Sequence, residues 1–311
     1  MKPLGRWIRR LLPLAVSVAA LVALFASIDL AKLVDALSWR VAAIVIPTLG
    51  VYGAVTLALE VASIRRLLGH TPVTLRPGTA ARIKCASYLL GIVNYALGVA
   101  ALGVLLQRRA GIRLAESANV VLLISGLDLF VVLSLTAAGL AASGSETPTA
   151  WVVILAAGGL GFFAGMALLR TSASLGPLER IRSLALLQAL RATPLRQLGQ
   201  VTLLRVIFSC SFIAMAGAVF FAFDIVPRLS ELVVGILVVA VVAALPIAIA
   251  GLGTGQAAFV YQFQDLASRE LLMAVSLVFS AGMIALRAGM GLLFAREFTR
   301  EALEQTRNSP A

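Results

Sequence analysis

The stretch "CASYLLGIVNYALGVAALGVLLQRRAGIR", residues 85–113, decides how this chain passes through a membrane. It has no charged residue before Arg108, so it is long enough to cross the ~30 Å of hydrocarbon in a bilayer. Its middle contains Gly91, Asn94 and Gly98, which weaken a continuous helix. The stretch therefore either crosses the membrane, or turns back and returns Arg108 and Arg109 to the side from which it entered.

Apolar runs of similar length recur along the whole chain. The 311 residues are 60% hydrophobic and 13% charged, which leaves too little charge to cover the surface of a soluble domain of this size. The runs are 11–28, 41–59, 85–106, 120–142, 150–169, 206–223, 232–250 and 271–294. We therefore predict an all-α polytopic membrane protein with a single integral membrane domain over 1–311, made of a first half, 1–142, and a second half, 143–311.

The distribution of lysine and arginine favours one of the two topologies. If all eight runs cross, basic residues divide almost evenly between the two sides, against the rule that they collect in cytoplasmic loops. If run 85–106 and the region 232–266 each return to the side they entered, only Lys32, Arg40, Arg228 and Arg269 lie outside. This predicts about six crossing helices plus two re-entrant hairpins of opposite orientation, with both termini in the cytoplasm.

The hairpin topology implies a symmetry between the two halves. Each half then has the order helix, helix, hairpin, helix, and the halves start from opposite sides of the membrane. This is the inverted repeat typical of transporters that bind substrate near the membrane midplane. The alternative, in which both regions are ordinary crossing helices with glycines at packing interfaces, stays open.

Two charged residues lie deep in apolar runs and are functional candidates. Asp128 is in the middle third of run 120–142, and Arg287 is well inside run 271–294. A charge in hydrocarbon costs at least about 2.5 kcal/mol. An Asp128–Arg287 ion pair is the structural alternative to a functional role. Glu60 and Arg205, which stand at the ends of runs, are expected at the membrane interface, Glu60 near Arg65 or Arg66.

Enzyme, metal and nucleic-acid functions find little support in the sequence. There is no phosphate-binding loop, no G-x-S-x-G, no H-E-x-x-H and no cysteine pair, and the chain has one histidine and two cysteines. We therefore predict no enzymatic activity, no cofactor and no metal. The net charge of +12 is expected to face the anionic headgroups of membrane lipids at the cytoplasmic surface, not nucleic acid.

Three segments carry a family resemblance. They are "PIAIAGLGTGQAA" (Pro246–Ala258), "SYLLGIVNYALGVAALGVLLQRRAGI" (Ser87–Ile112) and "NVVLLISGLDLFVVL" (Asn119–Leu133). They resemble the transmembrane-region family of lysylphosphatidylglycerol synthase, also described as flippase-like. The resemblance implies a bacterial inner-membrane protein that moves or handles lipids or lipid-linked glycans.

The chain departs from the family pattern at three places. Gln256 stands where the family has a glutamate, and Ser125 is near the place of an arginine that commonly precedes the aspartate. Leu97-Gly98-Val99 replaces a pattern of Gly-Glu or Gly-Asp plus Arg. Each departure reduces the charge available for a proton-coupled cycle or for holding a phosphate.

The function expected from these observations is translocation of a membrane lipid or lipid-linked substrate, with both hairpins lining a central groove. The alternative is a non-transporting membrane anchor or regulator, whose partner would be a cell-envelope lipid or glycan synthase. The residues expected to contact substrate are Asn94, Tyr95, Gly98, Asp128, Pro246, Gly251, Gly253, Thr254, Gln256 and Arg287.

Overall fold

The computed structural model describes residues 38–69, 73–93, 95–143, 149–170, 191–244 and 253–308. Within these ranges the regular secondary structure is entirely α-helical. The helices are α1 (Trp39–Leu68), α2 (Pro77–Val93), α3 (Tyr95–Ala110), α4 (Leu114–Ala142), α5 (Thr149–Arg170), α6 (Leu195–Ala222), α7 (Leu229–Ala244), α8 (Thr254–Gln262) and α9 (Arg269–Asn308).

Four helices of the described ranges are long and apolar enough to cross a membrane. They are α1, α4, α6 and the part of α9 from Arg269 to Leu293, and they have 25 to 30 residues each. At 1.5 Å per residue, even the shortest spans about 37 Å. The predicted all-α polytopic membrane protein is therefore confirmed, while run 11–28 lies outside the described residues.

The first predicted hairpin is a true reversal of the chain. A Cβ atom placed on Gly98 would lie 2.6 Å from the Cα of Gly91. In a continuous helix, residues seven apart are separated by about 10.5 Å along the axis. The chain must therefore turn back between α2 and α3, next to position 94. Since neither of the facing residues has a side chain, the two helices can approach this closely.

The second predicted hairpin also reverses direction. In the first half of α7, Gly235 packs directly against the ring of Phe263, which follows α8. Near the end of α7, Ala243 lies 3.5 Å from a Cβ placed on Gly255, at the start of α8. The earlier residue of α7 thus contacts the end of α8, and the later residue contacts its start. The two helices are therefore antiparallel. Their connection, with Pro246 and Gly251, lies outside the described residues.

One hydrophobic cluster joins helix ends that carry most of the basic residues of the described ranges. It combines the end of α1, the start of α2, the end of α3, and the starts of α4 and α6, through Ile64, Leu67, Ala80, Ile83, Leu106, Val120, Leu198 and Val201. We call this the basic end of the bundle. The lysines and arginines next to it are Arg65, Arg66, Arg76, Arg82, Lys84, Arg108, Arg109, Arg113, Arg191 and Arg196.

A second cluster forms the opposite end of the bundle. It combines the starts of α1 and α9, the end of α6, and parts of α7 and α8, through Val41, Val45, Val219, Phe220, Ile236, Phe259, Phe263, Leu272 and Val275. The rings of Phe220, Phe259 and Phe263 pack with centroid distances of 4.8 to 5.4 Å. The helix ends next to this cluster carry few basic residues, namely Arg40, Arg228 and Arg269.

The helix directions follow from these two clusters. Helix α1 runs toward the basic end and α4 runs away from it, with the α2–α3 hairpin between them. Helix α6 runs away from the basic end and α9 starts at the opposite end, with the α7–α8 hairpin between them. The order helix, hairpin, helix is thus repeated with inverted direction, as the charge distribution along the sequence predicts.

Cysteine labelling in intact cells is expected to place Arg66 and Arg109 on the same side of the membrane. The labelled positions are introduced singly into a background without the two native cysteines, Cys85 and Cys210. Arg66→Cys and Arg109→Cys are expected to react from one face, and Arg228→Cys from the other, because the first two residues flank the basic end. Labelling of Arg66→Cys and Arg109→Cys from opposite faces would contradict the reversal at α2–α3.

Candidate functional site

Helices α1, α2 and α6 bring three charged side chains together inside the bundle. The carboxylate of Glu60 is buried, with 4% of the residue exposed. Its Oε1 lies 3.1 Å from Nζ of Lys84 and 3.3 Å from Nη1 of Arg205. Arg205 is fully buried and donates a hydrogen bond of 2.7 Å from Nη2 to the hydroxyl of Ser63.

Helix α4 adds a fourth charge to this group. Oδ1 of Asp128 lies 3.6 Å from Nη1 of Arg205, the same nitrogen that faces Glu60. The guanidinium also stacks over the ring of Phe208, at 5.1 Å from the centroid. Arg205 therefore connects two carboxylates that come from different helices. We call Glu60, Lys84, Asp128 and Arg205 the buried charge network; with all four ionised, its net charge is zero.

The buried charge network is costly to fold and is incompletely satisfied. Removing an ion from water costs several kcal/mol, which attraction to a partner offsets only with good geometry. Within the described residues, Oε2 of Glu60 and Oδ1 of Asp128 are buried and accept no hydrogen bond. A buried polar atom left unpaired costs roughly 1–3 kcal/mol. Residues that only fill space in the bundle would not be expected to be charged, because apolar residues would avoid this free-energy cost.

A cavity of about 180 Å³ adjoins the buried charge network. The α2–α3 hairpin forms one wall, and α1, α4 and α9 form most of the rest, with Phe208 from α6. Its polar lining residues are Tyr52, Thr56, Glu60, Lys84, Ser87, Tyr88, Tyr95, Ser125, Asp128 and Arg287. Its apolar lining residues include Val99, Leu102, Val121, Ile124, Met283, Leu286 and Met290.

Two glycines allow α9 to approach closely enough to place Arg287 on this cavity. A Cβ on Gly53 of α1 would lie 2.6 Å from the side-chain ends of Leu286 and Met290. A Cβ on Gly291 would lie 2.5 Å from Cγ of Leu89 in α2. Helix α9 therefore packs tightly on α1 and on the hairpin directly around Arg287.

Four of the residues predicted from the sequence line this cavity together. Tyr95 and Gly98 come from α3, Asp128 from α4 and Arg287 from α9. The structural alternative, an Asp128–Arg287 ion pair, is not found: among the described residues the cation paired with Asp128 is Arg205, because α6 packs on both α1 and α4. Asn94, Pro246 and Gly251 lie outside the described residues.

The second hairpin contributes differently from the sequence-based expectation. Oε1 of Gln256 accepts a hydrogen bond of 2.6 Å from the backbone N–H of Gly253, and its Nε2 donates to Ser280 Oγ at 3.3 Å. Gln256 thus caps the start of α8 and ties it to α9, while Gly253 has a φ of 91°, which favours glycine. Neither residue lines the cavity, nor does Thr254. Of the two hairpins, only the first contributes described residues to the lining of the cavity.

Glu60, Lys84 and Arg205 are functional candidates that the sequence pattern does not indicate. Glu60 and Arg205 were expected at the membrane interface, and both are buried in the bundle. Both helices are longer than the predicted apolar runs: α6 begins at Leu195 and not at 206, and α1 continues to Leu68 and not only to 59, so Arg205 and Glu60 are well inside their helices. Leu198 and Val201, which precede Arg205 at helical spacing, were the available signal for this earlier start.

Comparison with known proteins identifies the family. The model of the lysylphosphatidylglycerol synthase TM region matches residues 10–288, which is most of the chain. Searches against curated proteins and against solved structures gave no match. The matched range includes every residue of the buried charge network and of the cavity lining except Met290. The chain therefore belongs to the family of the lysylphosphatidylglycerol synthase TM region.

Proposed function

We propose that this protein translocates a membrane lipid or a lipid-linked substrate in the bacterial inner membrane, in the manner of a flippase. The observation that carries the proposal is the buried charge network beside a cavity inside an apolar bundle. Ionisable groups at membrane depth usually line a substrate or ion pathway, because burying their charge in hydrocarbon is unfavourable and is rarely kept without a function. The distribution of arginine supports a cytoplasmic location of the basic end.

The cavity has the chemical character that an amphipathic substrate requires. Polar side chains from α1, α2 and α4 face the same space as leucine, valine, isoleucine and methionine side chains. A lipid headgroup would contact the polar side chains while its acyl chains lie along the apolar ones. A small hydrophilic solute would not be complementary to the apolar lining.

The inverted arrangement supports a mechanism of alternating access. Glu60 and Asp128 belong to the first half and Arg205 belongs to the second, so the ion pairs join the two halves. Movement of one half against the other would exchange these contacts and open the cavity toward each side in turn. In this proposal, both hairpins end within the membrane and enter it from opposite sides.

Asp128→Asn is expected to reduce lipid translocation at least tenfold in proteoliposomes that contain a fluorescent phospholipid. The substitution removes the negative charge that faces both Arg205 and the cavity, and it keeps the size of the side chain. The measurement is the rate at which a membrane-impermeant quencher gains access to inner-leaflet lipid. Gln256→Ala is expected to lower the unfolding temperature, because Gln256 caps α8, and to change the translocation rate much less.

Asp265→Asn is the matched control for this experiment. Asp265 is exposed in the turn after α8, so the same chemical change is made away from the cavity, and wild-type transport is expected. Transport by Asp128→Asn at the wild-type rate would contradict the assignment of this residue. If the wild-type protein moved no lipid, the non-transporting membrane partner would become the better explanation.

A further inference from the structure

The cavity and the buried charge network beside it together contain one cation more than they contain carboxylates. Lys84 and Arg205 are matched by Glu60 and Asp128, at distances of 3.1 to 3.6 Å. Arg287 lines the same cavity, and among the described residues no carboxylate lies within 4 Å of its guanidinium. With these groups ionised, the cavity together with the adjoining buried charge network, which includes Arg205, has a net charge of +1.

Arg287 is half-buried and lies on the side of the cavity that α9 forms. Its neighbours Leu286 and Met290 pack on Gly53, which holds this turn of α9 against α1. The guanidinium therefore faces the cavity, where an unpaired cation is unfavourable and a bound anion would be stabilised.

The neutral groups near Arg287 also suit an anion. Three tyrosines, Tyr52, Tyr88 and Tyr95, line the cavity, and each hydroxyl can donate a hydrogen bond. The two carboxylates, which could bind an ammonium group, already face the cations of Lys84 and Arg205 at 3.1 to 3.6 Å, so a cationic headgroup would have to compete with both. An arginine combined with hydroxyl donors is a common arrangement for binding phosphate oxygens.

We propose that Arg287 and the surrounding tyrosines bind the phosphate of a lipid whose headgroup is net anionic, and that the site disfavours aminoacylated, net cationic headgroups. The proposal rests on the proposed function for its lipid substrate and adds the charge class of that substrate. Inorganic phosphate shares the binding chemistry, but it would leave the apolar lining of the cavity uncovered. The lipid is therefore the expected source of the phosphate.

Binding of short-chain lipids to the purified full-length protein in detergent tests this proposal. The probes are phosphatidylglycerol, phosphatidylethanolamine, lysyl-phosphatidylglycerol and inorganic phosphate, each measured separately. Wild-type protein is expected to prefer phosphatidylglycerol over both other lipids. Arg287→Gln is expected to weaken phosphatidylglycerol binding about ten- to hundredfold, the range for loss of a charged hydrogen bond, whereas Arg287→Lys retains much of it.

Arg269→Gln is the matched control, because Arg269 is an exposed arginine at the start of the same helix. This variant is expected to bind phosphatidylglycerol like the wild type. Equal binding of this lipid by wild type and Arg287→Gln, or a wild-type preference for the lysyl lipid, would overturn the proposal. Binding of inorganic phosphate without binding of phosphatidylglycerol would contradict the inference that the bound phosphate belongs to a lipid.

The outcome is distinguishable from failure of the proposed function. If lipid is translocated with no headgroup preference and without dependence on Arg287, the charge class is wrong while translocation stands. If phosphatidylglycerol binds in an Arg287-dependent manner but no lipid is translocated, the site is correct and the protein is a lipid-binding membrane partner.

Discussion

Arg205→Met is expected to lower the free energy of unfolding by about 3–5 kcal/mol, the range for removing one partner of a buried ion pair. Arg205 is fully buried and faces both Glu60 and Asp128, so its loss leaves two carboxylates with only Lys84 to balance them. Translocation is expected to be lost as well. The measurements are thermal unfolding of the purified protein in detergent and lipid translocation in proteoliposomes.

Two further variants test whether the effect of Arg205→Met comes from the buried charge network or from a general disturbance of α6. Arg196→Gln alters an exposed arginine of the same helix and is expected to unfold like the wild type. Arg205→Met combined with Asp128→Asn removes one cation and one anion and keeps the Glu60–Lys84 pair, so it is expected to recover part of the lost stability. A wild-type unfolding temperature for Arg205→Met alone would show that the network is not stabilising.

Gly98→Val is expected to have the second large effect, on both stability and transport. The new Cβ would lie 2.6 Å from the Cα of Gly91 and 3.0 Å from its backbone nitrogen, and backbone atoms cannot move aside as a flexible side chain can. The helices of the first hairpin must separate, at a cost of at least about 1–3 kcal/mol, as for other overpacked sites. Because Gly98 lines the cavity, the wall that contacts substrate moves too.

Gly103→Ala is the matched control in the same helix. A Cβ at Gly103 would meet only Cγ2 of Val121, at an ordinary contact distance of 3.6 Å. We expect this variant to keep the unfolding temperature and the transport rate of the wild type. If Gly98→Val behaved like Gly103→Ala in both measurements, the close packing of α2 on α3 would not be required for folding or for transport.

The reversals of the chain were predictable from its residues. Membrane insertion depends on the hydrophobicity of each segment and on the charges that flank it, and both properties are local. Arg108 and Arg109 follow run 85–106 immediately, so their preference for the cytoplasm indicates the turn near Asn94. The structure confirms this reversal through the contact of Gly98 with Gly91.

The roles of the individual polar residues were less predictable. Gln256 stands in a glycine-rich segment that resembles the family motif, and it was expected to contact substrate. In the structure its amide caps α8 and contacts Ser280, since the N-terminal turn of a helix leaves backbone N–H groups to be satisfied. Whether a polar side chain forms hydrogen bonds with the backbone or with a ligand depends on the atoms that surround it.

Hydrophobic length is sufficient to identify a polytopic membrane protein, and the positions of arginine favour a reversal within residues 85–113. The contact of Gly98 with Gly91 excludes the alternative of a single crossing helix there. The pairing of Asp128 with Arg205, and not with Arg287, is evident only in the folded protein, where Arg287 has no carboxylate within 4 Å among the described residues. Ion pairing depends on distances of 3 to 4 Å between helices that are remote in sequence, and such distances are not encoded in any local pattern.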